Sequence, residues 1–217
     1  MALDRGTFVA IRPRADDLLT LSSTREQDSF CCRLGQLPEA AVGRWFDYPL
    51  GVVVSLRRKE RATIGADVFF GGNLPIGVGL SSSASICVGS AFALRALWGL
   101  GNDPMACIEA ALWAEREWIG VRCGIMDPYA VALSRPDHVM WLDCKSATYE
   151  HLPFDGENLL IAIVDSGMRR ELAKGAFNRR VQDCAEAFER TSGFVPGARV
   201  LCDLIGRRPA MLAGLFT

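Results

Sequence analysis

Gly71-Gly72-Asn73-Leu74-Pro75-Ile76-Gly77-Val78-Gly79-Leu80-Ser81-Ser82-Ser83-Ala84-Ser85 is the stretch whose reading decides the fold. A short apolar run, Ala66 to Phe70, enters the glycines, and three serines then open a helix of small and apolar residues, Ser82 to Leu97. Glycines let a backbone approach a ligand closely, and the free N–H groups of a helix N-terminus favour an anion. Serine hydroxyls add donors and can sit on Mg²⁺. By chemistry this is a phosphate cradle; taken alone, a Gly/Ser run also suits a flexible turn with serine capping. No Gly-Lys-Ser/Thr follows, so it is not a Walker loop, and Ser82 stands where a dinucleotide fingerprint needs its third glycine. No G-x-S-x-G elbow is present, and only His138 and His151 could serve a hydrolase triad.

Before the loop, Thr7 to Arg12 alternates as a half-buried strand, Pro13 to Asp17 turns, and Leu18 to Ser22 reads as the returning strand of a hairpin. A third strand fits around Ser29 to Leu34, and a helix fits Ala41 to Arg58. After the loop, Asp103-Pro104 is a helix start: Asp caps and Pro suits the first helical position. That helix is expected to run to about Trp118 and stop at Gly120. Strands are expected at 138–143 and 159–164, and a last helix from Glu171 to Arg190 with Phe177, Val181, Cys184 and Phe188 on one stripe. Strands and helices are mixed while hairpins dominate early, which predicts an α+β fold.

The 217 residues, half of them hydrophobic, suffice for a substantial core, and the net charge of -1 supplies no field for nucleic acid or acidic membrane. The eight cysteines show no C-x-x-C pair, so they read as reduced thiols of a cytoplasmic protein without a zinc site. Arg95 interrupts the longest apolar stretch, and the N-terminus has no apolar signal core, so no membrane partner is expected.

Leu74 to Ser85 resembles the ATP-binding signature of the GHMP kinases, the superfamily of galactokinase, homoserine kinase, mevalonate kinase and phosphomevalonate kinase. A second stretch, Glu115-Arg116-Glu117-Trp118-Ile119-Gly120-Val121-Arg122-Cys123-Gly124-Ile125-Met126-Asp127, resembles the galactokinase segment ending in Cys-Gly-Ile-Met-Asp-Gln. Weaker similarity extends the likeness to about residue 203: Trp45 to Gly51, Leu142 to Ser146, Asp165 to Arg169 and Phe177 to Arg180.

The resemblance implies a ribosomal-protein-S5-domain-2-like N-terminal domain over 1–158 and the beginning of a ferredoxin-like domain over 159–217. It implies ATP and Mg²⁺, with Pro75, Gly77, Gly79, Leu80, Ser81, Ser82 and Arg169 at the phosphates and Trp45 near adenine. Ser83 and Glu115 would hold the metal, Asp127 would act as base, and Gly124, Asp127 and Phe177 would meet the sugar. Taken alone, Glu115 reads as a solvated helix charge and Asp127 as a loop acid; their joint placement after the Gly/Ser loop changes that reading.

The departures are specific. Pro128 replaces the usual Gln, Arg122 stands where Pro is common, and Phe177 replaces a Tyr. The family's Arg-x-Asn-Leu-Ile-Gly-Glu-His-Thr-Asp-Tyr segment and its third, Gly-rich motif are absent, so the chain is expected to lack both ends of the complete enzyme and to self-associate or be completed by another polypeptide. Three functions stay open: a sugar 1-kinase, a non-catalytic relative that binds nucleotide or a partner, and a GHMP kinase for another small alcohol.

Overall fold

A computed structural model describes residues 1–59, 64–156, 158–159, 161–165, 174–193 and 195–204. The chain divides into two compact units, Met1–Glu171 and Leu172–Thr217. In the first, strands β1 (Thr7–Pro13), β2 (Leu18–Ser23), β3 (Phe30–Arg33) and β4 (Ala66–Gly72) form one sheet. Helices α1 (Asp47–Lys59), α2 (Ser82–Leu97) and α3 (Pro104–Trp113) share its hydrophobic core. Helix α4 (Met126–Leu133) and the hairpin of β5 (His138–Asp143) and β6 (Thr148–Pro153) complete the unit. The fold is α+β.

The strand order is β1-β4-β2-β3, which corrects the expected β1–β2 hairpin. β4 lies between the two, antiparallel to β1 and parallel to β2. The reason is visible at Asp67 of β4, which accepts hydrogen bonds from Arg12, Arg14 and Thr20 on both flanks. The link between β1 and β2 is held open by Gly65, which bonds both Arg14 and Asp16; a Cβ at Gly65 would come within 2.3 Å of Leu18 O.

The alternation read in β1 is real: Thr7, Val9 and Ile11 face inward while Phe8 and Ala10 face out. The inner face meets Leu19, Leu21, Val68 and Phe70 together with Leu50, Val52 and Val53 of α1 and Val88 and Leu94 of α2. Each such side chain contributes about 1.5–3 kcal/mol on burial. On the outer face Phe8 and Phe69 stay exposed.

Helix α1 starts six residues later than its apolar spacing suggests. Asp47 accepts the backbone N–H groups of Val42, Gly43 and Arg44, so the preceding residues wrap back as a capping loop rather than a first turn. Helix α3 begins as read, with the Asp103 carboxylate accepting Met105 N–H at 3.0 Å and Pro104 in the first turn. Its continuation, Ala114–Ile119, widens into a π-helical turn and stops at Gly120, φ 82°.

Helix α4 and strand β6 were not anticipated from the sequence. Of the strand expected at 159–164, residues 159 and 161–164 are irregular, and Leu159, Ile161 and Ile163 are exposed without a partner strand among the described residues. In the second unit, α5 (Lys174–Ser192) matches the described part of the expected last helix, with Phe177 exposed. Among the described residues no helix is long and apolar enough to cross a membrane.

Candidate active site

Strand β4 delivers the chain to the Gly/Ser loop through Gly72, whose φ of 136° and 2.2 Å approach of a would-be Cβ to Gly6 O admit only glycine. The loop base is fastened from outside: Arg25 donates to Gly72 O at 2.6 Å and to Leu74 O, and Asn73 exchanges hydrogen bonds with Gly6. Positive φ then recurs at alternate residues, 77° at Gly77, 82° at Gly79 and 54° at Ser81. Left-handed residues at every second position are a backbone pattern shared with anion-binding nests. Ser81 is a non-glycine residue held there at a cost of about 1–2 kcal/mol, and its side chain does not cap α2. The first-turn N–H groups of α2 have no intrahelical acceptors, so loop and helix end present donors together.

Ser83, in the first turn of α2, hydrogen-bonds Glu115 in the π-helical turn after α3. Glu115 is only 4% exposed. Burial pushes its carboxyl pKa up, the nearby charge of Asp127 adds to the rise, and hydrogen bonds from Ser83 and Cys123 oppose it. Cys123 donates its thiol to Glu115 Oε2 at 3.7 Å, and burial raises that thiol to about 11. Asp127 lies in the first turn of α4, half-buried. Three residues read from the sequence as metal ligands and base, Ser83, Glu115 and Asp127, thus converge from three separate helical segments.

A cleft of about 440 Å³ opens along the Gly/Ser loop, lined by Arg5, Thr7, Gly79, Ser81, Phe92 and Ser134 among others; Ser83, Glu115 and Asp127 do not line it. Ala130 and Val131, one turn beyond Asp127 on α4, also line it. The Ser134 hydroxyl is buried at the cleft with no protein partner among the described residues.

The remaining residues fall elsewhere. Trp45 packs against the core, its ring 5.7 Å from that of Phe70 and its indole N–H donated to Asp28 O at 3.0 Å. Gly124 is exposed in the connection between Cys123 and α4. Phe177 belongs to the second unit, and Arg169 lies outside the described residues. Arg25, Arg116 and Cys123 carry contacts that sequence reading missed. For Cys123 a signal existed, its place four residues before Asp127; for Arg25, 47 residues from Gly72, none did.

Residues 47–135 match the family described as GHMP kinases N terminal domain. The chain therefore carries the N-terminal domain type of that kinase superfamily. Within it the similarity runs to the galactokinases: that of Roseiflexus sp. (strain RS-1) is 34% identical over 204 residues, covering 94% of this chain and 52% of that protein. The galactokinase of Thermotoga maritima is 36% identical over 148 residues, covering 68% of this chain and 42% of that protein. The crystal structure of Lactococcus lactis galactokinase complexed with galactose superposes with a TM-score of 0.85 over 98% of this chain and 55% of that one, at 23% identity, which establishes the shared fold. The chain spans about half the length of the curated relatives it matches.

Proposed function

We propose that the chain supplies the nucleotide- and base-bearing part of a galactokinase-like sugar kinase, transferring the γ-phosphoryl group of ATP to a sugar hydroxyl. The observation that carries this reading is the buried carboxylate of Glu115, only 4% exposed, with the Ser83 hydroxyl and Asp127 acting on it. In a reaction of this class the protein does little covalent chemistry; it positions the reactants and stabilises charge.

The loop N–H groups from Gly77 to Ser82, with Pro75 and Leu80 shaping the turn, would hold the phosphates. Ser83 and Glu115 would hold Mg²⁺, which when bound neutralises charge on the β- and γ-phosphates. Their chemistry fits: one carboxylate and one hydroxyl are hard oxygen donors, and Mg²⁺ takes few protein ligands when phosphates complete its shell. Asp127 would orient the attacking hydroxyl and accept its proton at a carboxylate oxygen. The sugar would meet Gly124 and Asp127 at the start of α4, and the family resemblance adds Phe177 for the sugar and Arg169 for the phosphates. Trp45 would lie on the adenine side, next to Phe70 of the strand that feeds the loop.

The test is phosphorylation of galactose, and of a panel of other sugars and small alcohols, by the chain and its Asp127→Asn variant. A positioned base contributes about 10²–10⁴-fold; the variant should lose activity in that range while keeping its affinity for ATP. A loss under about threefold would remove Asp127 from the mechanism. Nucleotide binding with no turnover on any acceptor would instead favour a binding protein.

A further inference from the structure

Glu115 and Asp127 lie twelve residues apart, and a straight helix would separate them by about 18 Å. The chain instead doubles back, and the contacts that make it do so form a closed ring. The π-helical turn Ala114–Ile119 ends at Gly120, and the N–H groups of Gly120 and Val121 both return to the carbonyl of Glu115, the latter at 2.8 Å. Arg116 donates its Nε–H to the carbonyl of Cys123 at 2.9 Å. Cys123 then closes the ring by donating its thiol to Oε2 of Glu115.

The chemistry of the donors is informative. Glu115 is almost fully buried, yet its two side-chain donors, the Ser83 hydroxyl and the Cys123 thiol, are neutral. An arginine or lysine in their place would bind more strongly and cancel the charge. Neutral donors fix the direction of a carboxylate while leaving its charge for a cation. Arg116, whose charge also favours the ionised carboxylate, directs its Nε–H to the carbonyl of Cys123, eight residues along the chain from Glu115.

We infer that Cys123 and Arg116 are positioning residues for Glu115: Arg116 clamps the Cys123 backbone, and the Cys123 thiol holds the carboxylate in its cation-binding orientation. This rests on the reading of Glu115 as a metal ligand. Partners one step behind a metal ligand typically change metal affinity 10–100-fold when removed, whereas a merely structural residue moves stability and every binding constant together.

The experiment titrates Mn²⁺ into the full 217-residue chain saturated with a non-hydrolysable ATP analogue, with free ion read by electron paramagnetic resonance. Analogue affinity in EDTA and melting temperature are measured alongside. Cys123→Ala is expected to weaken Mn²⁺ about tenfold while leaving metal-free analogue affinity and melting temperature unchanged, and Cys123→Ser to recover much of the loss. Arg116→Ala, at an exposed position, is expected to weaken Mn²⁺ similarly and to speed iodoacetamide alkylation of Cys123, resolved from the other cysteines by peptide mass mapping; Arg116→Lys should fall between. Wild-type Mn²⁺ affinity in both Ala variants overturns the inference, as does a joint fall of metal affinity, analogue affinity and melting temperature. If Glu115→Gln binds Mn²⁺ as the wild type does, the metal assignment itself falls. The alkylation rate then decides the clamp alone, and an unchanged rate in Arg116→Ala overturns it.

Discussion

Two carboxylates of the same unit, Asp67 and Glu115, are held in opposite ways. Asp67 lies on the sheet with Arg12, Arg14 and Thr20 all donating to it, and those bonds hold its pKa well below the usual carboxylate range. Glu115 is nearly inaccessible, bonded by a hydroxyl and a thiol, and burial drives its pKa up. One is a satisfied anion that stitches β1, β4 and β2 into their order. The other is an anion the fold makes costly, and a desolvated carboxylate bonded by neutral donors suits a site meant to receive a cation. Two acids of similar intrinsic pKa thus separate into a structural and a functional role by their partners alone.

The loop serving Glu115 admits the largest break. Gly79→Val places a β-branched residue at φ 82° and adds a side chain to the wall of the cleft. Calorimetry should show ATP affinity falling by on the order of 100-fold or more, the equivalent of losing about two charge-assisted hydrogen bonds. Equal binding by wild type and variant would mean that the loop is not the phosphate site.

How much of this was legible in the sequence follows the range of the interactions. The Asp103-Pro104 cap, the stop at Gly120 and the Gly/Ser loop are local chemistry, and each appears where the residues put it. Sheet order is not local. Nothing near Arg12 or Arg14 announces that Asp67 will arrive between β1 and β2, and the hairpin reading failed there. Apolar spacing placed the start of α1 too early because Asp47 turns the approach into a cap. β6, Thr-Tyr-Glu-His-Leu-Pro, is mostly exposed and carries little alternation to read. At the site, motif spacing gave Ser83, Glu115 and Asp127, while Arg25, Arg116 and Cys123 needed coordinates because they act through backbone carbonyls or a weak thiol bond.

The two acids also predict opposite pH behaviour. For Asp67 the folded pKa is depressed, so its stabilisation is present above the unfolded value near 4 and is lost as pH falls through the folded value. Asp67→Asn should lower the melting temperature by a constant amount from pH 5 to 8, and thermal scans should show the gap to wild type closing below pH 4. A gap that persists unchanged at pH 2 would deny that the ionised carboxylate matters. For Glu115 the folded pKa is raised, so without metal its ionisation destabilises the fold as pH rises past the unfolded value of about 4.3. Metal-free Glu115→Gln should therefore melt higher than wild type at pH 7. That difference should vanish near pH 4. A variant melting lower at pH 7 would show that the carboxylate is already satisfied without a cation.

The most direct measurement is the magnesium response of nucleotide binding in three proteins: wild type, Glu115→Gln and Asp67→Asn. Calorimetric titration of ATP with and without Mg²⁺ should show a clear gain in affinity with the ion for wild type and for Asp67→Asn, and none for Glu115→Gln. An equal gain in all three would contradict the assignment of Glu115 as the acid that the fold reserves for the cation.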